Sequence, residues 1–132
     1  FFYRKLNKVN TSSNLVLRPF SNEIPALLRH ADLAISRAGA GAICELMVTK
    51  TPSILIPLPN SADQHQELNA AYMARYGGAI IVNQYDQEQD ILRNTISHLI
   101  DSNSLSEMKS NINDQHCISS TNKIFEIINL IS

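Results

Sequence analysis

At 132 residues and 14.7 kDa the chain holds one ordinary domain at most, because single domains usually fall between about 50 and 250 residues. Hydrophobic residues make up 44% and charged residues 17%, which supplies a core and excludes an intrinsically disordered chain. A formal net charge of -1, from 11 basic and 12 acidic residues, gives no general attraction to nucleic acid or anionic lipid, so no nucleic-acid partner is expected.

The first strand signal is Leu15-Val16-Leu17, closed by Arg18-Pro19-Phe20, where proline removes a ladder donor. Ser21 and Asn22 offer capping oxygens, Glu23 falls in the first turn, and Ile24, Leu27, Leu28 and Ala31 recur at helical spacing. A short amphipathic helix ending near His30 is predicted. Leu33 to Ser36 is a brief apolar run, stopped by Arg37-Ala38-Gly39-Ala40-Gly41, and Ala42 to Thr49 reads as helix. After Lys50-Thr51-Pro52, the run Ser53 to Pro57 suits a strand buried on both faces, as in a parallel sheet. Asp63 can cap a helix carrying Leu68, Ala71, Tyr72 and Arg75, which Gly77-Gly78 ends. Ala79 to Val82 is the next strand, followed by helical patterns at Ile91 to Ile100, Leu105 to about Asn113, and Ser120 to Ile131.

Strands alternating with helices predict an α/β fold, a Rossmann-like parallel sheet with right-handed crossovers. Ligands of such sheets sit beyond the carboxyl ends of the strands. The connections Phe20 to Ile24, Arg37 to Ala42 and Leu58 to Gln66 all follow strands and are expected to open on one edge. Cys44 and Cys117 are too few and too far apart for a disulfide framework or a zinc site, which favours a reducing cytoplasm. No run of about 18 apolar residues is present to span a bilayer, and no basic-then-apolar signal opens the chain. The chain begins Phe1-Phe2-Tyr3 rather than with Met, and we expect a piece of a longer protein.

Two glycines where a strand hands over to a helix let backbone approach a ligand, with unpaired amides and the helix dipole behind them. A phosphate or diphosphate suits that place; so does a plain tight turn whose glycines supply positive backbone angles. The spacing is not the dinucleotide fingerprint, since Cys44 stands where a third glycine belongs, and no Walker lysine follows. Glu45 either reaches sideways to the vicinal hydroxyls of a ribose or only stabilises a helix start, worth about 0.3 to 1 kcal/mol. Asp63-Gln64-His65-Gln66 either recognises a polyhydroxylated sugar or forms a cap and a solvated first turn. Cys44 is read as a small buried hydrophobe. No metal spacing surrounds His65, no hydrolase triad is spaced persuasively, and His30, His98 and His116 take no role.

Pro19-Phe20 with its following helix, the run Ala31 to Leu46 through Ser36-Arg37-Ala38-Gly39-Ala40-Gly41-Ala42-Ile43-Cys44-Glu45, Pro52 to Pro57, and Asp63-Gln64-His65-Gln66-Glu67-Leu68-Asn69-Ala70 together resemble the carboxy-terminal half of the MurG family. The resemblance runs in order from about Leu15 to Val82. It implies the partial carboxy-terminal domain of a GT-B glycosyltransferase, with residues 1–132 forming a partial UDP-sugar-binding domain and 86–132 its helical tail. It implies transfer of N-acetylglucosamine from UDP-N-acetylglucosamine to an undecaprenyl-linked muramoyl pentapeptide, lipid I, giving lipid II, with inversion and with no cofactor or metal. By resemblance, the Ser21 backbone reads uracil between Phe20 and Ile24. Ala40, Gly41 and Ala42 face the diphosphate, Glu45 holds the ribose hydroxyls, and His65 with Gln66 contacts the sugar. Arg37, Gly39 and Asp63 complete the substrate-binding set.

Position 42 is alanine where relatives often carry a hydroxyl, and His65 stands where some carry glutamine. The catalytic groups and the acceptor site are expected in a missing amino-terminal domain, so the chain alone is not expected to be active. The resemblance also implies a peripheral place on the cytoplasmic face of the bacterial plasma membrane, and a part in cell-wall growth, cell shape and division. Two alternatives stay open: a related transferase using another UDP-sugar, of the galactolipid synthase or two-subunit N-acetylglucosaminyltransferase kind, or a non-catalytic nucleotide-binding module serving a partner chain.

Overall fold

The computed structural model describes residues 18, 20–59, 65–85 and 90–112. The predicted strand Leu15-Val16-Leu17, the cap Asp63, the helix Ser120 to Ile131, His116 and Cys117 lie outside the described residues. In chain order the elements are α1 Ile24–His30, β1 Ala34–Ser36, α2 Ala40–Thr49, β2 Ser53–Leu55, α3 His65–Arg75, β3 Ala79–Ile81, α4 Ile91–Asp101 and α5 Ser104–Asn111. The three strands pair parallel in the order β1-β2-β3, with Ser36, Leu55 and Ile81 in register at their ends.

β2 is buried along its whole length, as a strand flanked on both sides and covered on both faces must be. Its side chains divide the core in two. Leu55 joins Ile43, Leu46 and Met47 of α2 and Ala70 and Met73 of α3, while Ile54 joins Leu99 of α4 and Met108 of α5. The sheet is therefore the middle of three layers. Ile35 is aligned with Ile54 yet 48% exposed.

Several local expectations are corrected. α1 buries no residue; Ile24 and Leu27 are exposed and only Leu28 reaches the core. Its N-cap is Glu23, with no side-chain cap on the helix, and Ser21 Oγ instead accepts the Glu23 N–H at 3.1 Å. α2 starts two residues earlier than expected, which puts Gly41 inside the helix. On α3, Leu68, Ala71 and Arg75 are exposed, whereas Ala70 and Met73 are buried. The inward stripe is Gln66, Asn69, Ala70 and Met73, at helical spacing. It begins polar because its first turn faces loops rather than core, and that hides it from a search for apolar periodicity.

Gly77 has φ 73, the left-handed region that favours glycine. At Gly78 an added Cβ would lie 2.6 Å from Ile112 Cγ1, and Ile112 is buried in the core. Gly78→Ala is expected to destabilise the fold by about 1 to 3 kcal/mol through overpacking. Chemical denaturation of the variant checks this as a lowered midpoint with an unchanged slope.

Candidate functional site at the carboxyl edge of the sheet

Parallel strands deliver their following loops to one edge, and here side chains fasten two of those loops together. Arg37, just after β1, donates from Nη1 to the carbonyls of Ile56 at 3.1 Å and Pro57 at 3.3 Å. Both acceptors lie just after β2. Gln66, in the first turn of α3, accepts the Leu58 N–H on Oε1 at 2.9 Å. Asn69, one turn further on, donates from Nδ2 to the carbonyl of Ala38 at 3.0 Å. The glycine turn, the loop after β2 and the start of α3 thus form one connected rim.

The third connection, Phe20 to Ile24, leads into α1, whose far end is tied to the sheet. Thr51, at the amino edge of β2, donates its hydroxyl to the Leu28 carbonyl at 2.7 Å and shares a 2.7 Å bond with Thr49 Oγ1 at the end of α2. The last turn of α1 is thereby held at the amino edge. α1 packs against α2, and at about 1.5 Å per residue its start at Ile24 lies one to two turns away from this tie. Phe20, before it, is 78% exposed. Arg18 Nη1 and Glu23 Oε2 form an exposed ion pair at 3.0 Å across this connection, which contributes little to stability.

At the rim, α2 begins without a side-chain cap. Gly39 is its N-cap with φ -65 and ψ 150, and the first helical bond is Ile43 N–H to the Gly39 carbonyl at 3.0 Å. The amides of Ala40, Gly41 and Ala42 precede that bond, where a helix has no internal acceptors. Gly39 and Gly41 carry ordinary negative or helical backbone angles, and a Cβ at either would meet nothing within 4 Å. This corrects the plain-turn explanation, since neither glycine supplies a positive angle. The fold does not require them, whereas Gly77 and Gly78 are required by it.

Glu45 is exposed on the second turn of α2. His65, the first residue of α3, is exposed and Gln66 half-buried. Asp63 lies outside the described residues. Cys44 is exposed rather than buried, because the buried face of α2 is Ile43, Leu46 and Met47. Asn69 had no role from sequence reasoning; its place three residues beyond Gln66 on one helix face was the available signal. Among the described residues no cluster of three or more His, Cys, Asp or Glu side chains is placed to hold a metal ion. Among them, too, no helix is long and apolar enough to cross a membrane.

The layered parallel sheet, with its loops tied around an uncapped helix start, defines an open α/β domain, an architecture in which ligands sit beyond the strand carboxyl ends. Residues 3–124 match the glycosyltransferase family 28 C-terminal domain, and the chain belongs to that family. It is similar to a UDP-N-acetylglucosamine--N-acetylmuramyl-(pentapeptide) pyrophosphoryl-undecaprenol N-acetylglucosamine transferase of Prochlorococcus marinus (strain NATL2A), 69% identical over 99% of this chain and 37% of that protein. A protein of the same description from Parasynechococcus marenigrum (strain WH8102) is 59% identical over 65% of this chain and 24% of its own length. The crystal structure of Acinetobacter baumannii MurG superposes with a TM-score of 0.73 at 28% identity, covering 87% of this chain and 33% of that one. The chain thus matches between about a quarter and somewhat over a third of the length of these relatives. The superposition agrees with the GT-B assignment of the fold.

Proposed function

We propose that this chain is the donor-binding part of an inverting transferase that moves N-acetylglucosamine from UDP-N-acetylglucosamine to lipid I, giving lipid II for peptidoglycan. The observation that carries this is the rim itself, where two loops are bonded together beside a helix start whose amides have no cap and whose glycines leave open space. The descriptions of the relatives supply the donor and the acceptor. In this proposal the Ser21 backbone reads uracil between Phe20 and Ile24, and the turn Gly39 to Ala42 receives the diphosphate. Glu45 accepts hydrogen bonds from the ribose hydroxyls, and Asp63, His65 and Gln66 meet the sugar. Arg37 serves the site by holding the loop after β2 against the glycine turn.

In the reaction, the muramoyl C4 oxygen bonds to the anomeric carbon as the bond from that carbon to the diphosphate oxygen breaks. Negative charge grows on the departing UDP, where the first amides of α2 and the positive end of its dipole stabilise it. The hydroxyl proton passes to a base supplied by the rest of the protein. The lipid acceptor places the whole enzyme at the inner face of the plasma membrane as a peripheral protein, serving cell-wall growth, shape and division.

Titration calorimetry on the full-length protein tests the donor. UDP-N-acetylglucosamine should bind roughly ten-fold or more tighter than UDP-galactose, because a site that hydrogen-bonds particular sugar groups penalises an analogue that leaves them unpaired. Equal affinity, or preference for the galactose donor, would contradict the proposal.

A further inference from the structure

We propose that Asn69 is a positioning residue for the diphosphate site: by holding the Ala38 carbonyl, it sets the direction of the Gly39 amide. The inference rests on the donor reading above for its ligand and on the structure for its geometry. Asn69 Nδ2 donates to the Ala38 carbonyl at 3.0 Å from a half-buried position, and Ala38 itself is fully buried in the core. No cis peptide occurs among the described residues. In a trans peptide plane the carbonyl and the following N–H point in opposite directions. A carbonyl fixed toward α3 therefore fixes the Gly39 N–H away from α3, next to the uncapped amides of Ala40 to Ala42.

Such a restraint has a purpose only where the plane can turn. Rotating the Ala38–Gly39 peptide by half a turn carries the Gly39 φ into the positive range, which glycine adopts and other residues avoid. The fold makes no other use of a glycine here, since nothing lies within 4 Å of the place where a Gly39 Cβ would stand. In the turned state a carbonyl oxygen replaces an N–H in the ligand's path and repels a phosphate. Asn69 selects the receptive state, and because α3 also carries Gln66, bonded to Leu58 at 2.9 Å, the same helix sets both loops of the rim.

The test compares Asn69→Ala and Asn69→Asp with the unaltered full-length protein, using UDP without its sugar. The aspartate keeps the size of the side chain and loses the donor. UDP affinity should fall roughly ten-fold in Asn69→Ala, about the loss of one hydrogen bond to a charged group, and further in Asn69→Asp, whose charge also repels the diphosphate, with the thermal midpoint little changed. In the ligand-free variants, the nuclear Overhauser effect between Ala38 Hα and the Gly39 amide proton should change, reporting rotation of the plane. A weakened affinity with that signal unmoved would overturn the positioning role, since Asn69 would then act by direct contact; unchanged affinity with an unmoved signal would overturn it too. Failure of the unaltered protein to bind UDP would instead remove the donor reading, while the Gly39 signal would still decide the restraint.

Discussion

Gly39→Asp should leave the fold as stable or slightly firmer and abolish UDP binding. The N-cap position favours Asp, Asn, Ser and Thr, whose oxygens accept the first helix amides, with a gain over glycine of a few tenths of a kcal/mol. Gly39 already has an extended conformation that any residue adopts, and a Cβ there meets nothing within 4 Å. Nothing in the fold resists the change. The ligand is affected through the same amides, because an aspartate that caps α2 occupies the donors proposed for the diphosphate and adds a like charge. Two unit charges about 5 Å apart repel by roughly 3 kcal/mol at an effective dielectric near 20, which is a loss of more than about 100-fold. Thermal unfolding and UDP calorimetry on the same sample check the two signs together. A variant that binds UDP normally would remove the diphosphate from this turn.

Glu45→Ala should weaken UDP binding by about 1 to 3 kcal/mol, the range for hydrogen bonds to a charged acceptor. The side chain is exposed and lies on the second turn of α2, far enough from the uncapped amides to avoid competing with a phosphate for them. A ribose following the diphosphate along the helix would meet it. Comparison of UDP with 2′,3′-dideoxy-UDP isolates the interaction: the unaltered protein should lose affinity for the dideoxy ligand, and Glu45→Ala should bind both alike. Additive losses would show that Glu45 does not hold the hydroxyls.

All three described strands were legible in the sequence, β2 most plainly because burial on both faces leaves a continuous apolar signal, as at Ile54 and Leu55. The helices were legible where glycine or proline marks their limits, as at Gly77. The glycine turn was legible as a place, and its meaning was not. Positive φ, close packing and a ligand's approach each call for glycine, and only the folded structure separates Gly39 and Gly41 from Gly77 and Gly78. The inward face of α3 was missed for a related reason, since Gln66 and Asn69 point to loops and so break the apolar pattern. The spacing of Ile24, Leu27, Leu28 and Ala31 predicts an amphipathic α1, but of the leucines and isoleucine only Leu28 packs on the core while Ile24 and Leu27 stay exposed. Function and fold make different demands on the same helix faces, and single-sequence periodicity registers only the second.

In the proposed donor site three connections, at Ser21, at Gly39 to Ala42 and at Leu58 to Gln66, serve one ligand at the carboxyl edge. Following the backbone amide resonances of isotope-labelled full-length protein during a UDP titration tests it most directly. Amides in the Ser21 and Gly39 to Ala42 segments should move together along one binding curve, with a smaller response at Leu58. Shifts concentrated at the opposite edge, around Thr51 and Gly77-Gly78, with those segments unmoved, would contradict it.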